Sequence, residues 1–301
     1  MLTIETLIGD VVGSTGHRYR LTDSAGNTMD TVKIITNPAG GYLGVYHTGN
    51  TVSLALSTDL LDWEFRRTLD AQATQPTICA LSTGGYLTAV EYNDQARSGG
   101  LLRLRHYVNL SALMAGAVDR ERTIRRSLSK CNEGTPNFHS VTLTPDIDHS
   151  VIDLGFHYQR KCDLDRQGRG RLTDFTSWTA AEDHAADSLL SAAAGSQGRS
   201  VKGNIGGRDS AVFDSICYTL YEVQYVKGDF GSWRLYLHNE RTGTAAHLPV
   251  ATHRGSTAFA NPTITAITSP GGRPAMVATL FLPSEGAAPG EAGQLVYYRE
   301  T

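Results

Sequence analysis

What most constrains this chain is the recurrence of short β-forming runs around a repeated glycine turn. Gly40-Gly41-Tyr42-Leu43 returns 44 residues later as Gly84-Gly85-Tyr86-Leu87. Each copy follows one apolar run and opens another, which places a tight turn between two antiparallel strands. Similar runs rich in Val, Ile, Thr and Tyr recur along the chain. Among them are Val32 to Ile35, Thr51 to Leu56, Ile78 to Leu81, Leu101 to Tyr107, Ile216 to Tyr225, Trp233 to His238, Met276 to Leu282 and Gln294 to Tyr298. Gly, Asn, Asp and Pro clusters separate them. About a dozen such runs at short spacing define a sandwich, a barrel or a propeller.

A second repetition chooses among these. Ahead of the hairpins stands a polar residue, then a small residue or Pro, then β-formers. Five segments carry the pattern: Asp30-Thr31-Val32, Gln75-Pro76-Thr77-Ile78, Glu133-Gly134-Thr135-Pro136, Arg208-Asp209-Ser210-Ala211 and Asn261-Pro262-Thr263-Ile264. From Asp30 to Gln75 is 45 residues, and the later gaps are 58, 76 and 52. A four-stranded blade takes about 40–50 residues. The chain is therefore read as all-β, a single five-bladed β-propeller domain over residues 1–301. A sandwich would leave the recurring polar residue unexplained. Residues 160–207 break the pattern: they are polar and Gly/Arg-rich, then Ala-rich from Thr179 to Ala194, with Gly195 as a helix stop. They are read as a partly helical insertion between blades three and four, a candidate lid. Ser111 to Ala117 is a second short helical segment.

Composition excludes several classes. There are 27 Lys+Arg against 30 Asp+Glu, a net charge of −3, with no basic stripe of the kind nucleic-acid binders carry. No apolar run approaches membrane-spanning length. The segment Met1 to Thr6 has neither the basic nor the apolar region of a secretory signal. Cys79, Cys131, Cys162 and Cys217 show no CxxC spacing, so reduced structural thiols are expected. These features predict a cytoplasmic protein without cofactor or metal, its oligomeric state open. Asn109-Leu110-Ser111 matches a glycosylation sequon that this location would leave unused.

In a propeller the innermost strand of each blade lines a central channel, so residues distant in sequence meet in one funnel. The five strand starts would place Asp30, Gln75, Glu133, Asp209 and Asn261 around a single pocket. Neighbouring carboxylates push one another's pKa values apart, so one can donate a proton while another stays ionised. Glycosidic bond cleavage has that requirement: an acid at the leaving oxygen, and a base or nucleophile on the opposite face. Any one of these residues is equally suited to a turn or cap; their recurrence carries the reading.

Ser57-Thr58-Asp59-Leu60-Leu61-Asp62-Trp63 resembles the S-x-D-L-x-x-W outer-strand motif of five-bladed glycoside hydrolases, families 43 and 62 and the related families 32 and 68. Asp30-Thr31 is similar to their blade-one D-P motif, Glu133-Gly134-Thr135-Pro136 to their E-G-P, and Arg208-Asp209-Ser210 to their R-D-P. The resemblance implies Asp30 as base, Glu133 as general acid and Asp209 as the residue that tunes the acid. Gln75 and Asn261 would then bind substrate hydroxyls. The two acidic motifs stand in the opposite order to the family's, and Thr31 replaces Pro. Three functions follow as expectations: cleavage of a small glycoside or oligosaccharide, acid/base chemistry on a non-sugar metabolite, or carbohydrate binding without catalysis.

Other residues join the candidate list. His139 falls on the third inner strand, where it either faces the channel or bonds within the core. His47 has the same two readings. Arg208 suits pairing with a channel carboxylate or an anionic ligand. Trp178 and Phe175, in the insertion, either stack on a ligand or anchor the lid. Glu222 is placed on the next strand, away from the funnel. His149 and His157, with Asp146 and Asp148, lack metal-ligand spacing.

Overall fold

The computed structural model describes residues 2–93 and 99–301. The chain opens with α1 (Ile4–Gly9) and β1 (Gly16–Arg18). Blade one follows as β2 (Asp30–Thr36), β3 (Tyr42–Thr48), β4 (Thr51–Ser57) and β5 (Glu64–Ala71). Blade two is β6 (Ala73–Ala80), β7 (Tyr86–Asn93), β8 (Gly100–Tyr107), α2 (Leu110–Ala115) and β9 (Arg120–Ile124). Blade three is β10 (Glu133–Leu143), β11 (Ser150–Arg160), β12 (Leu164–Thr173) and β13 (Ser177–Glu182), followed by α3 (His184–Gly195). Blade four is β14 (Ile205–Phe213), β15 (Ile216–Gln224), β16 (Trp233–Asn239) and β17 (Thr244–Leu248). Blade five is β18 (Ala260–Thr268), β19 (Pro274–Leu282) and β20 (Gly293–Glu300), with β1 as its outermost strand. The result is a five-bladed β-propeller of antiparallel four-stranded sheets.

The N-terminal segment closes the ring. Gly16 to Arg18 pair with Val296 to Tyr298. Ile4, Leu7 and Ile8 of α1 lie buried among Leu237, Leu248, Leu280 and Tyr297, across the seam of blades four and five. The Gly-Gly-Tyr-Leu repeats make the β2–β3 and β6–β7 turns. Gly40, Gly41 and Gly84 have positive φ there, and Tyr42 and Tyr86 are buried. The Ser57 to Trp63 motif is a structural turn. Ser57 Oγ accepts from the Leu60 N–H at 2.8 Å, and Asp59 Oδ1 from Leu61 and Asp62 at 2.9 and 2.8 Å. Trp63 folds under them against Gly44, where a Cβ would sit 2.7 Å from the indole.

The expected insertion is smaller than residues 160–207. Leu164–Thr173 and Ser177–Glu182 are the two outer strands of blade three, so only 183–204 connects blades three and four. The strand pairing from Val151↔Thr173 to Arg160↔Leu164 overrides the local Gly/Arg bias. Within the connection, Asp183 caps α3 by accepting from the Ala186 N–H. Ala186, Leu190 and Ala194 pack on Ile205, Tyr221 and Val223 of blade four. The expectation of four free thiols also fails: Cys131 and Cys162 form a disulfide, with Cα atoms 5.4 Å apart, while Cys79 and Cys217 are free.

Every innermost strand carries the same bulge. Asp30 to Lys33 on β2 is four residues, where its partner β3 has only the three from His47 to Val45. The same extra residue lies between Thr74 and Thr77, Gly134 and Asn137, Ile205 and Arg208, and Ala260 and Thr263. Thr31, Gln75, Thr135 and Asn261 occupy four of these bulges with φ of 50°, 51°, 46° and 47°. That left-handed region is unfavourable for Thr above all. In blade four Gly206-Gly207 stands at the corresponding place.

A bulge takes backbone groups off the ladder, and buried side chains collect them. The Thr31 N–H donates to Gln294 Oε1 of blade five at 3.1 Å. Gln167 of blade three donates from Nε2 to the Ile205 and Gly206 carbonyls at 2.9 and 2.7 Å. Glu222 accepts from the N–H groups of Gly207 and Asn261. Glu91 of blade two accepts from the Thr135 N–H. Gln167 is fully buried and also accepts from Arg208 Nη1 at 2.5 Å. Gln167→Leu would strand two carbonyls and part of a guanidinium, so unfolding in urea should show a loss of at least about 3 kcal/mol. A loss under about 1 kcal/mol would show that this contact does not hold blades three and four together.

Candidate active site

The bulges define two levels along the axis. Thr31, Gln75, Thr135 and Asn261 ring the mouth. Lys33, Thr77, Asn137, Arg208 and Thr263 follow two residues further in. The ring and the level below it together enclose only about 10 Å³ of free volume, room for at most one water. Lys33 makes the plug: its Nζ bonds Asp209 Oδ2 and donates to the Ile264 carbonyl at 2.8 Å. Asp209 Oδ2 also accepts from the Ile264 N–H at 2.9 Å. Any ligand site on the axis is therefore the mouth, where the inner strands begin.

The structure does not bring Asp30, Glu133 and Asp209 together. Asp209 is buried in the plug. Glu133 is 1% exposed and turned away from the axis. Its Oε1 accepts from the N–H groups of Ser127, Leu128 and Ser129 at 2.7, 2.5 and 2.9 Å, anchoring the chain that enters blade three. The alignment behind the expected trio slips in register. The residue equivalent to Gln75 and Asn261 is Thr135, two after Glu133, and in blade four the bulge precedes Asp209 by three residues. Asp30 stands one residue ahead of its own bulge, at the mouth.

Other expected contacts also move. Arg208 leaves the axis and enters the seam between blades three and four. Its Nε donates to Asn137 Oδ1 at 2.8 Å and its Nη2 to the Gly168 carbonyl at 2.6 Å. Gly155 makes room, because a Cβ there would lie 2.0 Å from Nη2. His139 lies beside a cleft of about 480 Å³ on the flank of blade three, with Ser140, Asp153, Arg169 and Arg171, not beside the channel. Burial and the nearby Arg208 and Arg169 push its pKa down to about 2. Trp178 is on the outer strand β13, donating to Ser127 Oγ at 3.2 Å and lying 5.8 Å from the Phe156 ring. It is no lid residue. Phe175 is buried in the turn before β13.

What gathers at the mouth is different. On β3, His47 pairs directly with Asp30. Its Nδ1 faces the Gly49 carbonyl at 3.1 Å, and its Nε2 lies 3.4 Å from Thr31 Oγ1. Thr31 Oγ1 also donates to Gln75 Oε1 at 3.0 Å. Burial raises the Asp30 pKa, with His47 opposing, and lowers that of His47. Both groups are thus driven toward neutrality. On β7, Glu91 keeps partial exposure. Asn132 Nδ2 donates to its Oε1 at 3.3 Å and lies 3.2 Å from His157 Nε2. Desolvation is the largest cause raising the Glu91 pKa, and the His157 ring offsets part of it. Gly134 leaves space for this carboxyl, since a Cβ there would fall 1.8 Å from Oε2. Glu222 is raised by desolvation as well, but it is 5% exposed and committed to backbone. It sits on β15 as expected, yet its carboxylate reaches the bulges of blades four and five.

Glu91, Asn132 and the role of His157 were missed. A lone carboxylate ending the apolar run Tyr86 to Asn93 was the available signal. Among the described residues, no three His, Cys, Asp or Glu side chains gather as a metal site.

No family model and no curated protein matches the sequence. Solved structures do match in fold. An endo-arabinanase of glycoside hydrolase family 43 from Bacillus licheniformis superposes with a TM-score of 0.57 at 10% identity, covering 94% of this chain and 96% of that one. An α-L-arabinanase from Cellvibrio cellulosa, complexed with arabinohexaose, gives 0.55 at 9%, covering 90% of each. An N-acetylgalactosamine deacetylase from F. plautii, in complex with blood group B trisaccharide, gives 0.57 at 11%, covering 97% and 93%. The chain thus has the propeller fold of family-43 glycoside hydrolases, and at these identities the likeness is one of fold.

The raised pKa of Glu91 has a consequence for stability. A free Glu titrates near about 4.3. Above that pH the native carboxyl holds a proton that the unfolded chain has released, so native stability falls as pH rises through the window. Glu91→Gln removes this contribution and keeps an acceptor for the Thr135 N–H. Urea midpoints measured upward from about pH 4.3 should fall more steeply for wild type than for the variant. Parallel profiles would mean that Glu91 is not displaced.

Proposed function

We propose that the protein cleaves a glycosidic bond at the propeller mouth, with Glu91 as general acid and Asp30 as base. One observation carries this reading: two burial-raised carboxyls, each beside a histidine, stand at the same end of a plugged channel. Glu91, its pKa raised by desolvation, gives its proton to the leaving oxygen. Asp30, its acidity weakened, takes a proton from the attacking water. Gln75, Asn261 and Asn132 offer amides to sugar hydroxyls. The oligosaccharides bound by the arabinanase and the deacetylase support a carbohydrate ligand. The deacetylase also supports the view that this fold hosts more than one chemistry.

A second reading is favoured by the engagement of Glu133 and Asp209 in structural roles: glycan binding at the mouth without cleavage. One experiment separates the two. Oligosaccharides that bind are tested for turnover with wild type, Asp30→Asn and Glu91→Gln. Each variant should lose at least about 100-fold in kcat while retaining binding and a cooperative unfolding transition. Binding without turnover in wild type would establish the second reading. Turnover unchanged in both variants would remove Asp30 and Glu91 from the chemistry.

The Cys131–Cys162 bridge supports an oxidising compartment rather than the cytoplasm. Thiol titration of protein taken directly from its cells should find two reactive thiols, Cys79 and Cys217, after denaturation. Four would restore the cytoplasmic expectation.

A further inference from the structure

The chain has five lysines: Lys33, Lys130, Lys161, Lys202 and Lys227. Lys33 is the plug. The other four are exposed and stand in the connections at the mouth end of blades three and four. Segments 125–132, 160–166, 199–204 and 225–232 together hold nine Lys and Arg against three Asp, in a chain whose net charge is −3. The mouth connections of blades five and one, 249–259, 283–292 and 19–29, carry Arg20 and Arg254 against Asp23, Glu285 and Glu291.

These basic segments form one continuous lip. The Cys131–Cys162 bridge joins the first to the second, and each bridged cysteine directly follows a lysine, Lys130 and Lys161. With consecutive Cα atoms about 3.8 Å apart, the two lysine backbones are tied within roughly 13 Å. Asp163 pairs with Lys227, joining the second segment to the fourth. Arg166 Nη1 donates to the Gly203 carbonyl at 2.9 Å, and the Asp165 N–H to Asn204 Oδ1 at 3.0 Å, joining the second to the third. Lys130, Lys161 and Lys202 have no ion pair among the described residues. A covalent tie that holds like charges together, with the adjacent Asp163 already engaged by Lys227, favours an anion from outside. The lip also reaches the candidate site, because Asn132, next to Cys131, donates to Glu91.

We infer that this lip is the landing surface for a polyanionic oligosaccharide, one bearing uronate carboxylates or sulfate esters, whose chain continues into the mouth. The inference rests on the carbohydrate reading of the mouth and adds the substrate's charge. A glycan fits better than a nucleic acid because the lip is a short arc bordering an amide-lined opening, suited to hydroxyls.

The test is binding at low and moderate salt of a short oligogalacturonate, a sulfated dextran fragment and a neutral arabino-oligosaccharide. The protein is used as wild type, as Glu91→Gln, and as the triple variant Lys130→Gln, Lys161→Gln, Lys202→Gln. All three lysines are exposed, so the triple variant should keep the wild-type melting temperature. At least one acidic probe should bind tenfold or more tighter than the neutral one, weaken with salt, and lose tenfold or more in the triple variant. The carboxylated and sulfated probes distinguish the two sources of negative charge. Glu91→Gln should bind the acidic probe as wild type does, so failure of the catalytic reading leaves this result intact. Equal affinity for the neutral probe, an unaffected triple variant, or stronger competition by duplex DNA would each overturn the inference.

Discussion

The architecture depends on one extra residue in each innermost strand and on the buried polar side chains that receive the backbone it displaces. Five blades bulge at the same place, so five sets of backbone groups leave their ladders near the axis. Each would cost about 1–3 kcal/mol if buried without a partner. Gln294, Gln167, Glu222 and Glu91 reach across or along the blades to meet them. These contacts also set the angle between blades, because a side chain of one blade grips the backbone of the next. Left-handed φ at Thr31 and Thr135 persists only because such partners fix it. The same bulges turn Thr31, Gln75, Thr135 and Asn261 toward the axis. The feature that spaces the blades therefore also builds the mouth.

This division of labour explains why carboxylates of similar sequence setting have different fates. Glu133 precedes its bulge by two residues and points outward, where three backbone N–H groups take it. Asp209 follows its bulge and points inward, but one level too deep, where Lys33 neutralises it. A buried ion pair of this kind gives little net stability over an apolar substitute, yet removing one partner leaves an isolated charge. Both acids are committed to holding the fold. Glu91 serves both purposes: it accepts from the Thr135 N–H, and it retains enough exposure to meet a ligand.

Much of the fold was legible. The glycine turns, the run lengths and the spacing between units all reflect local backbone chemistry, and they yield five blades. The register was harder, because a bulge has no strong residue preference of its own. A better marker was present in Gln75-Pro76, Thr135-Pro136 and Asn261-Pro262. Proline lacks the N–H that a ladder position requires, so it marks where the inner strand leaves its ladder. Aligning on proline selects Thr135; aligning on acidity selected Glu133. Blade four has Gly206-Gly207 instead, so Asp209 had no such marker. The outer strands of blade three were hidden for another reason. Arg169 and Arg171 alternate with glycine on β12, and a strand paired on both sides but with one exposed face tolerates that composition when the strand beside it is strongly apolar. The disulfide was out of reach, since pairing depends on the β11–β12 turn meeting the entry to blade three.

The plug finally accounts for the electrostatics of the mouth. An open axial channel would carry water past the inner strands and keep nearby carboxyls near their ordinary acidity. Lys33 and Asp209 close the channel two residues below the ring, so the mouth is a blind end walled by protein. Desolvation is accordingly the largest cause acting on Asp30, Glu91 and Glu222 alike, although they belong to three different blades. The unneutralised positive charge lies outside, on the lip of blades three and four. An approaching anion therefore meets lysines first and carboxyls of weakened acidity second, an order that draws negative charge to the opening.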